Sequence, residues 1–303
     1  MKIIECVPNF SEGTDVAIAS SIASSVAGVR GCAVLDQTLD PDHNRSVITF
    51  AGEPAAVAEA AFRAIKSSAN LIDMRKQAGV HPRVGATDVV PFVPVEDSDM
   101  VECVSLARAL GDRVWNELRI PVYFYEDAAL RPERKRLENV RRGEFEALRG
   151  AAESDPNRAP DIGGPALHPS AGAVVIGARK FLIAWNVNLS TAHVSVARAI
   201  ARTIRESNGG LPCVKALGFY LASRNIAQVS MNLTDFHITP MQTVFDAVAE
   251  QAALRGVSVL ETEIIGLLPK RALEATTPDR LHIHQFRPGM ILENRLGEVL
   301  SRP

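Results

Sequence analysis

Val7-Pro8-Asn9-Phe10-Ser11 and Val187-Asn188-Leu189-Ser190 lie 180 positions apart and resemble each other, and each ends an apolar run. Those runs, Lys2–Val7 and Lys180–Asn188, read as strands. The same order of patterns follows each. After the first, Ser11-Glu12-Gly13-Thr14 opens a helical stretch to about Val26, with Ala, Ile and Val at three-to-four spacing, closed by Gly28 and Gly31. Cys32–Asp36 and Arg45–Phe50 read as strands, Glu53–Ile72 as a long Ala-rich amphipathic helix, and Asp88–Val95 as a strand. After the second, Thr191–Arg205 reads as a helix capped by Ser190 or Thr191. Val214–Ala222 and Ala227–Thr234 are strands turning at Arg224-Asn225. Pro240–Leu254 is a helix with proline in its first turn, and Val257–Leu267 is the last strand. The doubled order predicts an α/β (α+β) fold of two βαββαβ-like subdomains, residues 1–178 and 179–303. Their sheets are expected to face each other across a ligand cleft, with the helices outside.

Between the two repeats the patterns change. Asp97–Leu118 is a further amphipathic helix and Val122–Tyr125 an edge-strand candidate. The charged stretch Arg131–Arg149 reads as helical with a solvated face. Ala151–Gly172 carries Pro156, Pro160, Pro165 and Pro169 with Gly163, Gly164 and Gly172, which excludes regular structure. A loop of that length in a folded chain is either disordered or functional.

Bulk properties narrow the classes. The 303 residues carry 33 Lys+Arg against 35 Asp+Glu, a net charge of −2, which argues against nucleic-acid binding by overall charge. Hydrophobic residues make up 47%, yet no apolar run is long enough to span a membrane. Glu5 interrupts the N-terminal apolar stretch and argues against a secretory signal. A soluble, cytoplasmic enzyme is the expectation. Cys6, Cys32, Cys103 and Cys213 form no Cys-x-x-Cys pair and read as buried reduced thiols.

Two polar clusters carry candidate chemistry. Gly79-Val80-His81-Pro82-Arg83-Val84-Gly85-Ala86 sets a histidine among glycines that admit close backbone approach, beside a fixed positive charge. By residue type alone an ordinary surface-loop histidine is the favoured reading of His81, although its chemistry suits proton transfer. Asp40-Pro41-Asp42-His43-Asn44-Arg45 reads as a hairpin-like turn whose Asn44-Arg45 end also suits a carboxylate. His168 lies in the Pro/Gly loop, His193 within a helix and His237 after a strand. His282-Ile283-His284 puts two imidazoles on one face of a strand, but no third ligand stands near and no metal is expected. Neither a P-loop, a Gly-x-Gly-x-x-Gly turn nor a Gly-x-Ser-x-Gly elbow occurs.

Taken together, the clusters resemble the formiminotransferase family. The resemblance rests on Glu5-Cys6-Val7-Pro8-Asn9-Phe10-Ser11-Glu12-Gly13, Asn44-Arg45, Leu71-Ile72-Asp73-Met74, His81-Pro82-Arg83 with Gly85-Ala86, and Pro91-Phe92-x-Pro94-Val95. It continues through Gly177-Ala178-Arg179-Lys180-Phe181-Leu182-Ile183-Ala184 and Ala227-Gln228-Val229-Ser230 and weakens towards Leu268. What it implies is transfer of a formimino group from N-formimino-L-glutamate to N5 of tetrahydrofolate, a co-substrate, with no metal. His81 matches the catalytic histidine. Gly163, Gly164, Pro165, Ala166, Leu167, His168, Pro169, Ser170, Ala171 and Gly172 match a folate-contacting loop. Asn44, Arg45, Arg83 and Arg179 are the candidates for binding the donor. A homodimer is implied, with a separate cyclodeaminase to take the product. The sequence departs from family members that carry acids at the positions of Thr38 and Val80 and an aromatic at Ala171. Asp36 and Asp40 are the nearby carboxylates that could orient His81 instead. Folate-linked formyl transfer and a non-catalytic folate-binding protein are the alternative readings.

Overall fold

The computed structural model describes residues 2–79 and 81–300. The chain divides into two units, Met1–Arg179 and Lys180–Pro303. In the first, β1 (Ile3–Cys6) and β2 (Asn9–Phe10) are followed by α1 (Val16–Ala27), β3 (Cys32–Asp40), β4 (Arg45–Gly52), α2 (Pro54–Leu71) and β5 (Thr87–Glu96). Then come α3 (Met100–Leu118), β6 (Val122–Glu126), α4 (Leu137–Val140), α5 (Glu144–Ser154) and β7 (Val174–Ala178). The second unit contains β8 (Ile183–Leu189), α6 (Val194–Ile204), β9 (Val214–Leu221), β10 (Ile226–Leu233), α7 (Met241–Ala253), β11 (Val259–Ile265) and α8 (Leu292–Leu300).

Strands β1 and β2 are two halves of one sheet position. Both lie antiparallel between β4 and β5, and they are separated at Val7-Pro8, where proline has no N–H to give the ladder. With β3 paired to β4, the first four positions run β3-β4-β1/β2-β5, and β7 and then β6 extend the sheet in parallel. The second sheet runs β11-β8-β10-β9, all antiparallel. In chain order both are the fourth, first, third and second strands of a βαββαβ unit, so the recurrence read in the sequence is a recurrence of topology. Helices α1, α2 and α3 lie side by side against the first sheet, and Ile4, Phe50, Ile65, Val90 and Val114 meet in one buried cluster. A second cluster joins Trp185 and Val187 of β8 to Ile200 of α6 and Val244 of α7. None of the described helices is long and apolar enough to cross a membrane.

The structure corrects several expectations. Helix α1 begins at Val16, capped by the Asp15 carboxylate, because Ser11 is already bonded into the sheet. The Ser11 N–H donates to the Ala86 carbonyl (3.0 Å) and its hydroxyl to the Gly85 carbonyl (2.8 Å). Strand β3 continues beyond Asp36 to Asp40, which lies opposite Arg45. Strand β7 falls where the sequence predicts no element, its five buried residues leaving no alternation to read. His193 stands at the N-cap of α6 rather than inside it. His282 and His284 do not share a strand face: His282 has φ +52° and its ring lies against Phe245, while His284 Nδ1 contacts Glu261 at 2.9 Å.

The stretch Arg131–Arg149 is not one solvated helix. It divides into a 3-10 turn, α4 and α5, and several of its charges are built into the fold. Arg134 is 4% exposed and pairs with Asp161, 2% exposed. Arg158 holds this segment from outside it, its guanidinium donating to the carbonyls of Asn139 (3.0 Å) and Arg142 (2.6 Å).

Candidate active site

Two loops and the start of β4 converge at one end of the first sheet. The β3–β4 hairpin turns through Pro41 to Asn44, with Asn44 at φ +49°. The Asn44 side chain then joins three segments. Its Oδ1 accepts from Gly13 N–H (2.9 Å), and its Nδ2 donates to Gln77 Oε1 and the Ala78 carbonyl (both 2.7 Å). Gln77 in turn donates to Glu12 Oε2 (2.8 Å), and Glu12 Oε1 accepts from the amides of Thr14 (2.8 Å) and Asp15 (2.9 Å). Gly13 has to be glycine. A Cβ there would lie 2.3 Å from the backbone of Asp40 and of Arg45.

This framework sets His81 against Arg45. Arg45 Nη1 donates to His81 Nε2 at 2.8 Å. A guanidinium only donates, so His81 Nε2 carries the lone pair and the ring proton resides on Nδ1. His81 is held well below its ordinary pKa, first by loss of water around it and then by the positive charges of Arg45 and Arg141 and by His43. The imidazole is therefore neutral near pH 7. Loss of solvent and the like charge of Arg141 also lower Arg45, to about 10, leaving it a cation.

The nearby carboxylates have other partners. Asp40 accepts from His43 N–H (2.9 Å) and from His43 Nδ1 (2.6 Å). Burial alone would raise Asp40, but the hydrogen bonds and charge of His43, with Arg45, hold it below the usual carboxylate range. Asp88, buried at the start of β5, accepts from Val84 N–H (2.9 Å) and pairs with Arg141. Neither is hydrogen-bonded to His81. The rings of His43 and His81 meet edge to face, with centroids 6.4 Å apart.

The other expected residues fall into three groups. Arg83 is buried with its guanidinium on Glu144 (2.9 Å), Glu146 (2.8 Å) and the Gln77 carbonyl (2.6 Å), which makes it a brace between the His81 loop and α5. Arg179 leaves the far end of β7, level with Phe92, where its backbone N–H donates to the Phe92 carbonyl. Arg179 is thereby placed beside Cys6 and Tyr125 and not among the contacts of His81. The loop from Gly163 to Gly172 does reach the site framework. Its Ser170 carbonyl accepts from Met74 N–H and its Ala171 carbonyl from Ala86 N–H, and Gly172 bridges to Gly85. Within it Leu167 and Ala171 point into the core. Gly164, Pro165, Ala166 and Pro169 are exposed. His168 Nδ1 accepts from Ala171 N–H (3.0 Å), and burial lowers the His168 pKa. Val80 lies outside the described residues. The structure adds His43, Arg141 and Asp88 to the site. Only His43 had a signal in the sequence, through its place in the polar hairpin. Among the described residues no group of three or more His, Cys, Asp or Glu side chains is arranged to hold a metal ion.

A duplicated βαββαβ fold carrying a neutral imidazole between guanidinium groups defines a class of protein suited to proton transfer beside an anionic ligand. Residues 3–179 match the family model described as the formiminotransferase domain, N-terminal subdomain, and residues 184–287 match the formiminotransferase domain. The chain is 46% identical over 303 residues to a glutamate formimidoyltransferase of Thermoplasma acidophilum, covering 99% of each protein. It is 43% identical to the enzyme of that name in Streptococcus pyogenes serotype M1, covering 97% of this chain and 99% of the relative. A formimidoyltransferase-cyclodeaminase of Rattus norvegicus is 42% identical over 278 residues, which cover 90% of this chain and 51% of that protein. The chain belongs to the formiminotransferase family.

Proposed function

We propose that the protein transfers the formimino group from N-formimino-L-glutamate to N5 of tetrahydrofolate, releasing L-glutamate and 5-formiminotetrahydrofolate. The observation that carries this reading beyond family membership is the state of His81. It is a neutral imidazole with its Nε2 lone pair directed at Arg45, at the end of the sheet where the Gly163–Gly172 loop is anchored.

The chemistry follows from that state. N5 of tetrahydrofolate attacks the formimino carbon, forming a C–N bond and a tetrahedral intermediate. His81 accepts the proton that N5 must lose, then gives it to the glutamate nitrogen as the old C–N bond breaks. Holding two substrates together supplies much of the acceleration, so no covalent enzyme intermediate is needed. Arg45 is the candidate for a donor carboxylate and Arg141 stands beside it. Asn44 and Arg83 position the loops, and Arg179 is assigned to substrate through its charge at the other end of β7. The exposed part of the Gly163–Gly172 loop, with His168, is assigned to folate. The same reading makes the protein a cytoplasmic homodimer whose product passes to a separate cyclodeaminase, with subdomains at 1–178 and 179–303.

The test is an assay with tetrahydrofolate and each of two donors, N-formimino-L-glutamate and N-formyl-L-glutamate, following release of glutamate. Turnover with the formimino donor is expected. Turnover with the formyl donor alone would replace this function by formyl transfer. Binding of folate without turnover would make the chain a binding protein.

A further inference from the structure

Among the described residues Arg45 makes no ion pair, although Asp40 lies opposite it in the hairpin register. Both Asp40 oxygens are bonded to His43. Both oxygens of Asp88, the next carboxylate, are bonded to Val84 and Arg141. Among the described residues the buried Nε of Arg45 has no hydrogen-bond partner, and the guanidinium's side-chain hydrogen bond is to the lone pair of His81. A buried donor without an acceptor is unfavourable, and this one is free to take an incoming acceptor. A carboxylate is such an acceptor, and it meets a guanidinium with two parallel hydrogen bonds.

The same contact has a consequence for His81. A lone pair accepting from Arg45 is not available to the proton of N5. We propose that Arg45 masks the base in the free protein and that a carboxylate of the donor draws the guanidinium onto itself, uncovering His81 Nε2. Donor binding would then arm the base, and tetrahydrofolate arriving alone would meet a blocked imidazole. The proposal rests on the function above and extends it by coupling one substrate to the state of the catalytic group. The charged groups around His81 are consistent with this. Arg45 from β4, Arg141 from the end of α4 and His43 from the hairpin all oppose its protonation, with Asp40 and Asp88 behind them. Arg141 has Asp88 and Arg45 has no such partner, so the cation a ligand can neutralise is Arg45.

The test uses the full chain with isotope-labelled histidine and follows the His81 ring nitrogens by NMR across pH. Free protein should show the Nδ1–H tautomer and a low titration midpoint. Adding N-formimino-L-glutamate without tetrahydrofolate permits no turnover, and should raise the midpoint by about 1–3 pH units, the effect of neutralising one close charge. In Arg45→Gln the midpoint should already be raised and should no longer respond to donor. If Arg45→Gln does not fold, the titration of the unaltered protein still decides. Donor that saturates by calorimetry while leaving the midpoint unmoved would overturn the mask alone. Failure of the donor to bind would overturn the function reading, and the mask with it.

Discussion

His81 combines two properties, a neutral ring and a fixed tautomer, and both come from its neighbours. Its removal should be felt in rate more than in binding. His81→Ala is expected to lower kcat by about 10²–10⁴-fold with KM for the donor little changed, read from saturation curves in both substrates. The protonation state also carries a stability consequence. Its folded pKa lies below the unfolded value of about 6.5, so the unfolded chain binds more protons in that window. Stability from the neutral ring is complete above about pH 6.5 and is lost as pH falls towards the folded pKa. His81→Gln should accordingly show a smaller drop in thermal midpoint between about pH 7.5 and pH 5.5 than the unaltered protein, by calorimetric scans at each pH. His81 and Arg45 were legible in the sequence, through motif and resemblance. That Arg45 would touch His81 was not, because it depends on both oxygens of Asp40 turning to His43. Arg83 was legible as a cation, but its partners Glu144 and Glu146 lie 61 and 63 positions away.

At the level of elements, the site depends on loops held by side-chain bonds rather than by regular structure. Asn44 joins the loop before α1, the β3–β4 hairpin and the loop before His81. Asn44→Ala leaves the Gly13 amide and Gln77 without their partner, and should cost about 1–3 kcal/mol in urea unfolding while lowering activity through a displaced His81. The Arg134–Asp161 pair anchors the segment that leads to Arg141. Asp161→Asn removes one charge from a buried pair and should cost about 3–5 kcal/mol, again by urea unfolding. The βαββαβ order was legible because strands and helices with one buried face leave periodic signatures. What escaped was β2, two residues long after a proline, and β7, buried on all sides. The Arg131–Arg149 stretch escaped for a different reason. Charge composition resembles a solvated helix whether or not the charges find partners, and the buried partner of Arg134 lies beyond the stretch itself.

For the whole molecule, a net charge of −2 means that no general field gathers anionic substrates, and local guanidinium groups must do so. The association rate with tetrahydrofolate should depend only shallowly on ionic strength, which kcat/KM measured over a salt series will show. The proposed reaction is formimino transfer through His81. The measurement that tests it most directly follows glutamate release and formation of the N5-substituted folate together, in the unaltered protein and in His81→Ala, with both substrates saturating. The expected result is equal release of both products by the unaltered protein and near-complete loss in the variant. Undiminished turnover in His81→Ala, or no product from N-formimino-L-glutamate in a protein that binds it, would contradict the account.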